Sequence, residues 1–163
     1  MRFLFLLICF LLLSFCKTKG QNSLSGSEYS FLFYNTENFF DTGNNSVAND
    51  DDFTSEGNRH WTFSRMQAKA EKLSKVILAA GKWNAPVLVG LCEIENLGVL
   101  EMLCRNEPLA HFHYKIVQQD SPDSRGIDVA LLYRPDLFHP FDYKAIPVVD
   151  PTDKSFKTRD ILE

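Results

Sequence analysis

Residues 85–96 limit the possible folds more than any other stretch of this chain. Ala85-Pro86-Val87-Leu88-Val89-Gly90-Leu91-Cys92 is an apolar run dense in valine and leucine, the pattern of a strand buried in a sheet. It delivers a carboxylate, Glu93, just before the chain turns polar at Glu95-Asn96. Carboxyl ends of strands are where α/β sheets build their sites. Burying an acid there without a partner costs several kcal/mol, so the position asks for a cation beside it, a metal ion being the obvious one. Glu93 equally fits an ordinary first exposed residue past a strand. This segment alone leaves both readings open.

The N-terminus reads as separate from the fold. Met1-Arg2 is a basic start, residues 3–15 are almost wholly apolar, and Lys17-Thr18-Lys19-Gly20 breaks the run. That layout predicts a signal peptide over 1–20, with an apolar stretch too short for a stable membrane span. Cleavage before Gln21 and lipidation at Cys16, as in a lipoprotein, are the two alternatives; either exports the protein to the periplasm or outside the cell. Residues 21–28 then form a flexible remnant and 29–163 the domain. Without 1–20 the chain keeps 14 basic against 21 acidic side chains, a formal charge of −7. This excludes a module that grips nucleic acid by blanket positive charge. An enzyme that recruits a divalent cation to meet phosphate is still allowed. Of the four cysteines, Cys92 and Cys104 lie beyond the leader. Export permits a disulfide between them, but a strand and a helix are ordinary places for buried thiols. Reduced cysteines are therefore expected, and their spacing is not that of a zinc site.

The first strand is read over residues 29–35, its aromatic side chains suiting a sheet covered on both faces. A long polar loop, 41–60, follows; its Asp50-Asp51-Asp52 triplet reads as a solvated face without calcium-loop spacing. Thr62 or Ser64 can cap a helix to about residue 82, with Met66, Ala70, Leu73, Ile77 and Ala80 forming one apolar stripe. Gly81 and Pro86 end it. After the Glu93 strand come a short helix near 97–105, strands near 113–119 and 127–133, an extended stretch over 141–149, and the start of another strand at 158–163. This order predicts an α/β fold with a mixed sheet.

Several chemically capable residues gather at the predicted strand ends. Asn35, Glu37, Asn38 and Glu93 offer oxygen ligands to a hard ion such as Mg²⁺, with Mn²⁺ or Ca²⁺ as alternatives. Arg125, in Asp123-Ser124-Arg125-Gly126, and Arg159 offer bidentate contacts to phosphate oxygens. Turn formation is the plainer role for Asn35 and Asn38, and surface solvation the plainer one for each arginine. His60, His111, His113 and His139 read as surface or loop residues.

Three segments, taken in order, resemble the endonuclease/exonuclease/phosphatase superfamily, the deoxyribonuclease I-like proteins. They are Phe33-Tyr34-Asn35-Thr36-Glu37-Asn38-Phe39-Phe40-Asp41, Val89-Gly90-Leu91-Cys92-Glu93-Ile94-Glu95-Asn96, and Arg125-Gly126-Ile127-Asp128-Val129-Ala130-Leu131-Leu132-Tyr133-Arg134-Pro135. The resemblance implies the N-terminal half of a deoxyribonuclease I-like α/β-sandwich with mixed, largely antiparallel sheets. It implies a metal-dependent phosphodiesterase, a nuclease-like hydrolase using Mg²⁺, with nucleic acid the favoured substrate over phosphoinositide or sphingomyelin. By position, Glu93 matches the metal-binding glutamate and Asn35 the asparagine that orients metal and phosphate. Glu37 falls where some relatives place an acidic metal-site residue. Arg159 matches a phosphate-contacting arginine, and Arg125 lies on a substrate-side turn. The family's Gly-Asp-Phe-Asn-like and Ser-Asp-His-like motifs do not occur in these 163 residues. The expectation is thus a fragment with little or no activity. The alternative is a non-catalytic exported binding protein on a partial fold.

Overall fold

The computed structural model describes residues 29–163. The expected signal peptide, Cys16 and the leader remnant lie outside the described residues. Among the described residues six strands and two α-helices follow one another: β1 (Phe31–Phe39), α1 (Phe63–Ala80), β2 (Leu88–Ile94), α2 (Leu97–Arg105), β3 (Lys115–Gln118), β4 (Asp128–Tyr133), β5 (Ala145–Ile146) and β6 (Ile161–Leu162). The first four strands form one mixed sheet in the order β1-β2-β4-β3. β1 runs parallel to β2, which needs a long crossover, and α1 supplies it. The β2–β4 and β4–β3 pairs are antiparallel. β5 and β6 form a separate antiparallel hairpin.

Both helices cover one face of the sheet. α1 turns Met66, Ala70, Leu73 and Ile77 inward, as their spacing predicts, onto Val89, Leu91, Ala130 and Leu132. Ala80 departs from the expected stripe and is exposed, while Ser74 and Leu78 are buried instead. At 3.6 residues per turn the buried face drifts round the helix by its last turns. Burying Ser74 is cheap because its hydroxyl lies 2.8 Å from the Glu71 carbonyl oxygen and 2.9 Å from that of Glu107. Thr62 takes the N-cap position of α1 and Gly81 the C-cap. α2 adds Val99, Leu100 and Leu103 to the same core.

The opposite face differs from expectation. Its cover among the described residues is only partial: Phe31 and Phe33 remain 63% and 72% exposed. The β5–β6 hairpin leans over part of it, leaving a cleft of about 420 Å³ lined by Phe33, Gly90, Val129, Leu131, Tyr143 and Ile161. Within 141–149 only Ala145–Ile146 becomes a strand, because β6 is a two-residue partner. The 41–60 loop is also less solvated than its composition suggests. Phe40 stacks on Phe53 with centroids 4.0 Å apart, and Trp61 donates its indole N–H to the Phe40 carbonyl at 2.9 Å. Asp50, read as part of a solvated triplet, is 1% exposed and accepts the Asn45 N–H at 3.0 Å. Cys92 and Cys104 are free, as expected. No helix among the described residues is long and apolar enough to cross a membrane.

Candidate functional site

The site is made by an irregularity in the sheet. β1 and β2 pair regularly as far as Asn35 with Cys92, then resume at Phe39 with Ile94. On the other side of β2, Cys92 pairs with Val129 and Ile94 with Asp128, so Glu93 is the extra residue of a bulge. Three non-glycine residues here adopt left-handed backbone: Glu37 (φ 56°), Asn38 (φ 63°) and Glu93 (φ 62°). Such residues cost roughly 1–2 kcal/mol each and persist only where the surroundings hold them. Thr36, 2% exposed, is one such hold. Its hydroxyl lies 2.9 Å from the carbonyl oxygens of both Cys92, the last paired residue before the bulge, and Glu93, the bulged one.

The bulge re-aims Glu93, whose side chain is 17% exposed. Asn35 donates its Nδ2 to Glu93 Oε1 at 3.1 Å, and the Asn38 backbone N–H donates to Oε2 at 3.1 Å. The Asn35 amide cannot turn over without loss, because its Oδ1 accepts the Glu37 N–H at 2.7 Å. Asn35 therefore serves Glu93 as a donor rather than presenting a free oxygen. Lys69 reaches in from α1, donating from Nζ to the Glu37 and Asn38 carbonyls at 2.6 and 3.1 Å. Burial lowers the Lys69 pKa, an effect that the Glu37 and Glu93 carboxylates oppose. The Glu37 side chain itself is exposed on the bulge.

Arg159 is not a solvated surface arginine. Its guanidinium is 29% exposed and spans two acids, with Nη1 3.9 Å from Glu93 Oε1 and Nε 3.9 Å from Asp123 Oδ2. At those distances it balances charge without committing its donors. Arg125 is committed. Its Nε and Nη2 grip the two oxygens of Asp123 at 3.0 and 2.9 Å, and its backbone N–H adds a third bond at 3.0 Å. Burial pushes the Asp123 pKa up, but these bonds and the Arg159 charge outweigh it and hold the carboxyl below its ordinary value. Asp128, 3% exposed, ties Ser121 and Gln118 to the start of β4 and so shapes the turn carrying Asp123 and Arg125. Its own pKa is raised by burial, partly offset by those bonds.

A cavity of about 420 Å³ lies beside this cluster, lined by Asn49, Glu95, Asn96, Asp123, Asp128 and Lys157. Asn35 and Glu93 do not line it; Asn35 is exposed and Glu93 is half-buried. Glu95, a residue the sequence left unassigned, is 9% exposed and has its pKa raised to about 7. Burial is the main cause; the Asp41 N–H that it accepts acts the other way, and the Asp41 and Asp50 charges add to the rise.

Sequence reasoning placed Asn35, Glu93 and Arg159 together, and the structure does the same. Lys69, Thr36 and Asp123 were missed as members of the cluster. Lys69 sits on the polar flank of an amphipathic helix, where nothing in the local pattern separates it from a solvated lysine. The signal for Asp123 was its place two residues before Arg125. The four histidines are all exposed, and none takes part in the cluster.

The donor set bears on a divalent ion. Among the described residues no group of three histidine, cysteine, aspartate or glutamate side chains stands close enough to cage one. One oriented and partly exposed carboxylate does fit a Mg²⁺-type ion, which keeps several waters and takes one or two carboxylates plus substrate phosphate.

No curated protein and no solved structure showed a significant match to the chain. The model of the Endonuclease/Exonuclease/phosphatase family matches residues 30–163, from the start of β1 through β6. That span contains the bulge, the Asp123 turn and Arg159. The chain is a member of the endonuclease/exonuclease/phosphatase family.

Proposed function

We propose that the chain supplies one half of the hydrolytic centre of an exported, Mg²⁺-dependent phosphodiesterase acting on nucleic acid. The observation that carries this reading is Glu93, lifted onto a bulge at a strand end and clamped by Asn35 and Asn38 beside the uncommitted guanidinium of Arg159. Glu93 would hold the ion, with Glu37 at the rim as a further carboxylate. A bound divalent ion supplies Lewis-acid charge to a phosphoryl oxygen. Asn35 and Asn38 keep the Glu93 carboxylate from rotating. Arg159 faces phosphate oxygens with donors that no protein group has taken, while Arg125 and Asp123 brace the neighbouring turn.

Two observations support the half-site. Among the described residues no histidine joins the cluster, and the one carboxylate bridged to Glu93, that of Asp123, has both oxygens taken by Arg125, so neither stands ready as a general base. Asp160 Oδ1 is buried without a hydrogen-bond partner among the described residues, and its side chain lines the apolar cleft under the β5–β6 hairpin. A buried orphan of this kind is costly unless further structure completes it. The same open face favours the second reading, a non-catalytic exported binding protein; a sharp, cooperative melt of the isolated chain would support it, and a broad one would count against it.

The test has two parts. The protein is expected to show little or no Mg²⁺-dependent hydrolysis of DNA or bis(p-nitrophenyl) phosphate, and robust turnover would sink the half-site. Titration with Mn²⁺ is expected to detect a site that Glu93→Gln weakens by at least about tenfold. Equal affinity in the variant would remove Glu93 from the ion.

A further inference from the structure

We propose that Lys69 is the positioning residue of the Glu93 centre: its ammonium group pins the left-handed Glu37-Asn38 segment that aims Glu93. The proposal rests on reading Glu93 as the ion ligand. Lys69 projects from the second turn of α1, its ammonium 5.7 Å from the centroid of the Trp61 ring. A helix-surface lysine usually carries its charge out to water. This one carries it inward and ends on two backbone carbonyls, Glu37 at 2.6 Å and Asn38 at 3.1 Å.

Those carbonyls belong to consecutive non-glycine residues of left-handed backbone. The bulge takes them out of the β1–β2 ladder, so they need donors from elsewhere. Lys69 provides them. Both hydrogen bonds to the Glu93 carboxylate hang on the pinned segment. The Asn38 N–H reaches Glu93 Oε2, and the Glu37 N–H locks the Asn35 amide that reaches Oε1. Lys69 makes no hydrogen bond to Glu93; it acts through the four residues from Asn35 to Asn38.

The sign of the effect separates positioning from charge. Removing a cation near a metal site should tighten cation binding if Lys69 contributes only its charge. Losing the pinned geometry should weaken binding. In the full chain, Lys69→Met is expected to weaken Mn²⁺ binding about tenfold, the size typical of outer-sphere partners. It is also expected to speed hydrogen exchange of the Asn38 amide measured without metal. Lys69→Arg, which can span both carbonyls, should restore both readouts, and Lys75→Met on the exposed side of α1 should change neither. If Lys69→Met does not fold, Lys69→Gln, which retains a neutral donor, carries the same two measurements. Unchanged or tighter Mn²⁺ binding with unchanged Asn38 exchange would overturn the proposal. A wild-type chain that binds no Mn²⁺ would overturn the ion-ligand reading of Glu93, while the Asn38 exchange rate still decides the role of Lys69.

Discussion

At Glu93 a carboxylate meets two N–H donors from the end of β1 and the edge of an arginine that lies just before β6. The neighbouring Asp123 carries this corner's dependence on pH. Arg125 holds its pKa below the ordinary value of 3.8 despite burial. A carboxyl depressed in this way stabilises the fold above its unfolded pKa, and that stabilisation is lost as pH falls through the native value. Asp123→Asn is expected to cost about 1–3 kcal/mol at neutral pH. The gap to wild type should narrow as pH falls below 3.8, because the wild-type group then loses the same charge. Urea melts at the two pH values check this, and a gap that widens in acid would refute it. Asn35, Glu93 and Arg159 were legible as residues because their chemistry suits strand ends and phosphate. Lys69 and Thr36 were not, since their roles depend on carbonyl groups that only the bulge exposes.

Helices and strands were more legible than the joints between them. α1 follows from its apolar spacing and its flanking cap residues, and α2 spans the expected Leu97–Arg105. Its N-cap, Asn96, does two jobs: Oδ1 accepts the Val99 N–H at 3.2 Å, and Nδ2 donates to Asp41 Oδ2 at 2.8 Å. Asn96→Ala should lower stability by about 1–2 kcal/mol. Asn96→Asp should not rescue it, since it keeps the cap but sets a second carboxylate against Asp41. Thermal melts of the two variants test the pair, and full recovery in the aspartate variant would show that the Asp41 contact contributes nothing. The bulge itself was invisible in sequence. Cys92-Glu93-Ile94 alternates like any strand, and the extra residue appears only when its two partners are paired with it.

At the scale of the whole domain, among the described residues, helices seal one face of the sheet while Phe31 and Phe33 stand exposed on the other. Contiguous apolar surface of this kind binds hydrophobic dyes and promotes association. The double substitution Phe31→Ser with Phe33→Ser is expected to reduce anilinonaphthalene sulfonate fluorescence and self-association. It should change stability little, since exposed side chains contribute on the order of 0.5 kcal/mol or less. Undiminished dye binding would mean that the exposed face lies elsewhere. The sequence by itself determined the α/β class, the buried strand that ends in Glu93, the helix stripes and the family. Each of these rests on local periodicity or on short motifs, which are properties of neighbouring residues. Tertiary structure alone decided that Glu93 is a bulged residue, that Asp50 is buried, that Arg125 is spent on Asp123, and that Lys69 turns inward. Those outcomes depend on which carbonyls, amides and charges meet across the sheet. Such meetings are set by pairing register and packing between residues far apart in the chain, and no local pattern encodes them.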